Sequence, residues 1–181
     1  INIGLFETAR QNLIAAESAY RTAINLDPTQ SAGYVNLADL YRGLQRDDEG
    51  FTLLTEAVSR LPDDAAINHA LGLALIRRSQ PGEALRYLKI GAERAPESAR
   101  YTYVYAVAQN SAGESDAAIN TLREGLELHP NNADLLFASA TMLRDAGDAS
   151  AALAFAKRLQ AILPDDQTVG SLVESLQSEN Q

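Results

Sequence analysis

Two histidines, His69 and His129, and no cysteine leave this chain few groups with which to hold a metal or build a nucleophile. A zinc or iron site needs three or four converging ligands, and two imidazoles far apart in the chain do not supply them. Without thiols, the segment has no disulfide framework, iron–sulfur centre, cysteine nucleophile or covalently attached haem. Carboxylates are plentiful but stand side by side, as in Asp47-Asp48-Glu49, Asp63-Asp64 and Asp165-Asp166. Acid–base chemistry needs carboxyls opposed across a cleft, and a calcium loop needs alternating ligands with a central glycine. Phosphate-binding glycine loops, nucleophile elbows and triad spacings are missing as well. The chain is read as non-enzymatic, with no metal and no cofactor expected.

The elements that must carry any function follow from a period. The chain has 181 residues, enough for one well-buried domain, and 46% are hydrophobic, which excludes a disordered chain. Five of its six prolines, Pro28, Pro62, Pro96, Pro130 and Pro164, recur at intervals of 34 residues. A fixed spacing of this size signals a stacked array of like units. With these prolines at position 32, full repeats begin at Ser31, Ala65, Ala99 and Ala133. A partial repeat covers residues 1–30 and a remnant begins at Gln167.

The columns of this frame describe a helical hairpin. Position 8 holds Gly4, Ala38, Gly72, Ala106 and Ala140, and position 20 holds Ala16, Gly50, Ala84, Ala118 and Ala152. Antiparallel helices approach closely only where small side chains let backbone meet backbone. Bulk beside that contact comes from Leu37 and Leu71 at position 7, Tyr41 and Leu75 at 11, and Tyr20, Leu54, Leu88 and Leu122 at 24. The recurrent proline stops the second helix, and Asp63-Asp64, Glu97-Ser98, Asn131-Asn132 and Asp165-Asp166 are N-cap candidates for the next first helix. Gly113 and Gly147 mark the turn inside the hairpin, and Pro81 suits a helix first turn. Asp47-Asp48-Glu49 is placed at the start of a second helix, where carboxylates are favourable. The alternation Tyr101, Tyr103, Tyr105 reads locally as a strand, but a lone strand in a helical stack leaves its backbone groups unpaired. Helix is therefore expected there too.

This pattern resembles the tetratricopeptide repeat family over nearly the whole chain. Repeat two matches the family's spacing with Tyr34, Leu37, Ala38, Tyr41, Gly50, Leu54, Ala57 and Pro62. Asn68 and Thr102 at position 4, Gln109 at 11 and Ser139 at 7 depart from it. The resemblance implies an all-α, right-handed superhelical solenoid of antiparallel helix pairs, about 4.5 repeats plus a C-terminal capping helix. The expected organisation is a single domain over 1–177, with repeats at 1–30, 31–64, 65–98, 99–132 and 133–166, a cap at 167–177 and a flexible tail at 178–181. Val169, Leu172, Val173 and Leu176 give the cap its apolar side. Ile1 falls at position 5, so the chain is read as a piece of a longer protein.

In this family ligands lie in a concave groove lined by the first helices. The matching positions here are Val35, Asp39 and Arg42 in repeat two, and His69, Leu73, Ile76 and Arg77 in repeat three. Repeat four offers Arg100, Tyr103, Val107 and Asn110, and repeat five Phe137, Thr141 and Arg144. The whole chain carries a formal charge of -9, which disfavours nucleic acid and anionic membrane as partners. With Asp134 and Asp145 at the remaining ligand positions of repeat five, the groove holds four arginines against three aspartates, and suits a peptide with apolar anchors and some acidic character. The lysine set of the chaperone-binding members is absent, so that clamp is rejected.

Three roles follow as expectations. The first is a non-catalytic scaffold for a protein or peptide partner. The second is self-association through the incomplete first repeat, using Ile1, Ile3, Leu5, Phe6 and Leu13. The third comes from residues 100–108, which resemble the repeat tails of some bacterial multihaem c-type cytochromes. That likeness implies an adaptor domain of a larger periplasmic protein. Nothing in the composition distinguishes bacterial cytoplasm from periplasm, and no apolar run approaches the ~18 residues of a membrane span.

Overall fold

The structure, a computed structural model, describes residues 1–9 and 12–180, apart from the side chains of Phe6 and Ala9. Among the described residues there are eleven helices and no strand. They are α1 (Asn2–Ala9), α2 (Leu13–Leu26), α3 (Ser31–Gly43), α4 (Asp47–Arg60), α5 (Ala65–Arg77) and α6 (Pro81–Arg94) in one compact unit, Ile1–Arg94. The other unit, Ala95–Gln181, holds α7 (Ala99–Ser111), α8 (Ser115–Leu128), α9 (Ala133–Asp145), α10 (Ala149–Ile162) and α11 (Gln167–Glu179). In the first unit α1/α2, α3/α4 and α5/α6 pair as hairpins, stacked through α2 on α3, α4 on α5 and α3 on α5. In the second, α7/α8 and α9/α10 pair, α7 and α8 lean on α9, and α11 covers α10.

The small columns are where each hairpin closes. Ala16, Ala84, Ala106, Ala118, Ala140 and Ala152 are fully buried. A Cβ added to Gly50 of α4 would stand 3.3 Å from the Ala38 carbonyl oxygen of α3. One added to Gly72 of α5 would meet Leu88 Cγ of α6 at 2.6 Å. Larger residues at these positions would push the helices apart, and the fully buried Leu88 and Leu122 fill the space beside them.

Every second helix ends two residues before its proline, at Leu26, Arg60, Arg94, Leu128 and Ile162. Four of the proline carbonyls left beyond these ends are taken up by side chains of different chemistry. Tyr34 Oη donates to the Pro28 oxygen at 3.2 Å, Asn68 Nδ2 to Pro62 at 2.8 Å, and Arg158 Nη2 to Pro130 at 2.7 Å. His129 Nε2 lies 3.1 Å from the Pro96 oxygen. Asn68 thus departs in residue type yet serves the joint as Tyr34 does, and from its buried place it also donates to the Asp64 oxygen at 2.8 Å. Thr102 is buried where Gly125 leaves room, since a Cβ there would stand 2.7 Å from Thr102 Cγ2.

Caps and turns follow the expected frame with local differences. Asp64, Asn132 and Asp166 accept backbone N–H bonds at the starts of α5, α9 and α11, whereas Ser98 stands before α7 without a side-chain capping bond. Asp47, Asp48 and Glu49 occupy the first turn of α4 and Pro81 opens α6. The tyrosine-rich stretch is helical within α7, because hairpin packing with α8 outweighs the local β preference. Helix α11 seats Val169, Leu172, Val173 and Leu176 in the second unit's core. It continues to Glu179, two residues past the expected Gln177, and Asn180 Nδ2 donates back to the Leu176 oxygen. Gln181 lies outside the described residues.

Position 15 turns the chain within each complete hairpin. Gly113 and Gly147 have φ of 85°, and Gln45 and Ser79 take the same left-handed region at 59°. The residue after each donates its N–H back five residues, as Gln80 does to the Leu75 oxygen at 2.9 Å. Side chains resist this conformation, so Ser79→Gly and Gln45→Gly should each stabilise the fold by about 0.5–1 kcal/mol. Gly113→Ala should cost about 1 kcal/mol. Urea unfolding of the three variants measures this; a loss of stability in either glycine variant would contradict the strain at these turns.

Candidate functional site

In the second unit, the expected ligand positions form stripes on two packed first helices, α7 and α9. Arg100, Tyr103, Val107 and Asn110 recur at helical spacing along α7, as do Phe137, Thr141 and Arg144 along α9. Val107 and Phe137 stay 36% and 38% exposed, and Tyr103 lies half-buried against the unit's core. Two polar members are engaged within their own hairpins. Asn110 Oδ1 accepts from Ser115 Oγ at 2.8 Å, and Thr141 Oγ1 donates to the Phe137 oxygen at 3.0 Å. Arg144 pairs with Asp145 at 2.8 Å. Arg100 is exposed and has no carboxylate within ion-pair distance among the described residues.

The first unit presents the corresponding stripes on α3 and α5. Val35 and Leu73 are half-buried, and Ile76 is 40% exposed. The charged members are largely self-paired: Arg42 with Asp39, and Arg77 with Asp47 of α4, each at 3.4 Å. His69 departs from the expected open wall, being only 5% exposed. The cause is Gly91 of α6, where an added Cβ would meet His69 Cβ, His69 N and the Ala65 oxygen, each at 3.2 Å. With no side chain there, α6 closes over α5 and takes His69 into the helix contact. Among the described residues no three His, Asp or Glu side chains are grouped to hold a metal ion.

One feature of the first unit escaped the repeat frame. Glu17 of α2 accepts from Arg46 Nη1 at 2.7 Å and from Tyr41 Oη at 3.1 Å, while Arg21 Nη2 donates to Tyr41 Oη at 2.8 Å. Arg46 also stacks on the Tyr41 ring, 4.4 Å from its centroid, and pairs with Glu49. The Arg46 hydrogen bond is the main cause holding the Glu17 carboxyl below the usual glutamate range, partly opposed by desolvation. The same guanidinium lowers the Glu49 carboxyl. Beside this network a cleft of about 500 Å³ opens between α2 and α4. The sequence held one signal for it. Position 21 reads Glu17, Phe51, Leu85, Ile119, Leu153, so a carboxylate stands where every other repeat is apolar.

Two family models described as tetratricopeptide repeat match residues 69–119 and 110–176. No curated protein matches the chain by sequence. Among solved structures, MamA is similar with a TM-score of 0.75 and 18% identity, covering 89% of this chain and 94% of that one. YrrB, titled a TPR protein with an unusual peptide-binding site, reaches 0.75 with 19% identity, over 97% and 90% of the two chains. A tetratricopeptide repeat protein from Parabacteroides merdae reaches 0.77 with 16% identity, over 97% and 70%. At these identities the likeness is one of fold. It supports the helical-repeat architecture and carries no link to multihaem cytochromes.

Because the Glu17 carboxyl titrates below its unfolded value, its contribution to stability is present above about pH 4.3 and is lost as pH falls through the lowered folded value. Glu17→Gln should therefore destabilise the chain at pH 7, and the gap from wild type should close on acidification. Urea midpoints at both ends of that range read it out. A gap independent of pH would remove the ion pair as its cause.

Proposed function

Because residues 69–176 belong to the tetratricopeptide repeat family and the preceding hairpins keep the same frame, we propose that the chain is a non-catalytic scaffold. It docks peptide segments of partner proteins on its first-helix faces. The observation that carries this reading is the α7/α9 face, where Val107 and Phe137 stay open to solvent beside Tyr103 and the unpaired Arg100. Apolar anchors there would lose water-exposed area, and an acidic ligand group would gain a guanidinium not already committed within the chain. The α3/α5 face contributes Val35, Leu73 and Ile76 in the same manner, with Asp39, Arg42 and Arg77 held in internal pairs. His69 is left out of the docking set.

A blocked peptide Glu-Leu-Glu-Leu-Glu, titrated into isotope-labelled protein, should shift amide resonances along α7 and α9. Tyr103→Ala or Arg100→Glu should weaken that response about five-fold or more, in the manner of contact anchors. Unchanged affinity in both variants would move the docking site off this face.

A second reading, self-association, is favoured by one observation. Ile3, Leu5 and Ile14 of α1 and α2 are 69%, 50% and 86% exposed, apolar area that a second copy could cover. Ile1 and Leu13 are half-buried, and the Phe6 side chain lies outside the described residues. Sedimentation velocity across a concentration series should show a dimer that Ile14→Glu abolishes; a monomer at every concentration removes this reading. The cytochrome-adaptor reading rests on residues 100–108 alone, and a haem-attachment motif upstream of Ile1 is the observation that would establish it.

A further inference from the structure

We propose that the cleft between α2 and α4 is a second docking site, and that its ligand is a basic peptide segment. An aliphatic side chain of that segment would sit on the cleft floor, and a neighbouring lysine or arginine would reach Glu56. The site lies between second helices, away from the first-helix faces, and prefers the opposite ligand charge.

The hairpin beside it carries a departure at position 21. In the next hairpin, Phe51 fills that place and carries the Arg78 guanidinium 4.5 Å above its ring. In the second unit, Ile119 is buried in the core and Leu153 packs against it. In the first hairpin the place holds Glu17, turned toward Arg46 and Tyr41 by charged hydrogen bonds. The space above Leu37 and Tyr41 is open between Ile24 of α2 and Leu53 of α4. At about 500 Å³ the cleft is of a size to take a few side chains of a peptide. The half-buried Ile24 and Leu53 beside that floor offer the apolar area that an aliphatic anchor needs.

The rim decides the sign. Asp48, Glu49 and Glu56 line it on α4, against Arg21 on α2. Arg21 is committed, donating to Tyr41 Oη and pairing with Glu17 at 2.8 Å. Asp48 is paired with Arg78 and Glu49 with Arg46. Glu56 is exposed and has no ion pair among the described residues. The uncommitted charge at the cleft is therefore negative. An anionic ligand would meet three carboxylates and an arginine already in use, whereas a cation meets a free carboxylate beside the apolar floor.

The test titrates isotope-labelled protein with a blocked Lys-Leu-Lys-Leu-Lys peptide. Resonances of Ile24, Leu37, Leu53 and Glu56 should move, and the glutamate peptide of the same length should leave them in place. Glu56→Lys should weaken the response about five-fold, the scale of reversing one exposed charge. Thr52→Trp, which fills the cleft from an exposed position on α4, should abolish it with helicity retained. Equal shifts at the cleft from both peptides, shifts confined to other surfaces, or unaltered binding by either variant would overturn the proposal. The α7/α9 reading is tested by the acidic peptide on different helices, so the two fail independently.

Discussion

The close approach of two backbones inside each hairpin is the constraint on which the rest depends. It requires alanine or glycine at positions 8 and 20 in every copy, and the structure shows why: at Gly50 and Gly72 a single added carbon already meets the partner helix. Once the helices touch there, their remaining faces are assigned by geometry. Leucine and tyrosine at position 24 fill the flank of the contact, and the first helix turns its opposite stripe away from its partner. The stripes proposed for docking and the cores are therefore two sides of the same helices. A change that opened the hairpin would disturb both.

The joints between hairpins obey a looser rule. Each proline ends a helix and leaves a carbonyl that needs a donor, but the donor's identity is free. A tyrosine and an asparagine at position 4, and a histidine and an arginine at two other positions of the frame, each reach one of these oxygens. A hydrogen bond asks for a correctly placed polar atom and tolerates many side chains that place it. This is why Asn68, an outlier by residue type, is wholly regular in its role.

The two units spend their charges differently. In the first, arginines and carboxylates are joined within and between hairpins, as in Glu17 with Arg46, Arg77 with Asp47 and Arg94 with Asp63. Most of these pairs are exposed, and such pairs contribute little to stability one by one. Their effect on recognition is larger, because an arginine already paired offers less to an incoming carboxylate. Arg100 in the second unit and Glu56 in the first are the uncommitted groups on which the two docking readings turn. Neither stands out by residue type.

The repeat length, the hairpin contact, the helix boundaries and most caps were legible in the chain itself, because each depends on neighbours close in sequence: a proline, a small residue, an aspartate before a helix. Helix rather than strand at Tyr101–Tyr105 was legible for the same reason, through the frame imposed by the copies on either side. What only the tertiary structure decided were exposure and pairing where one helix meets another. Gly91 admits α6 close enough to bury His69; Arg77 of α5 finds Asp47 of α4; Glu17 of α2 takes Arg46 as its partner beside an open cleft. The period assigns a residue to a face, but exposure and pairing on that face depend on side chains of other helices, whose reach no column of the repeat encodes.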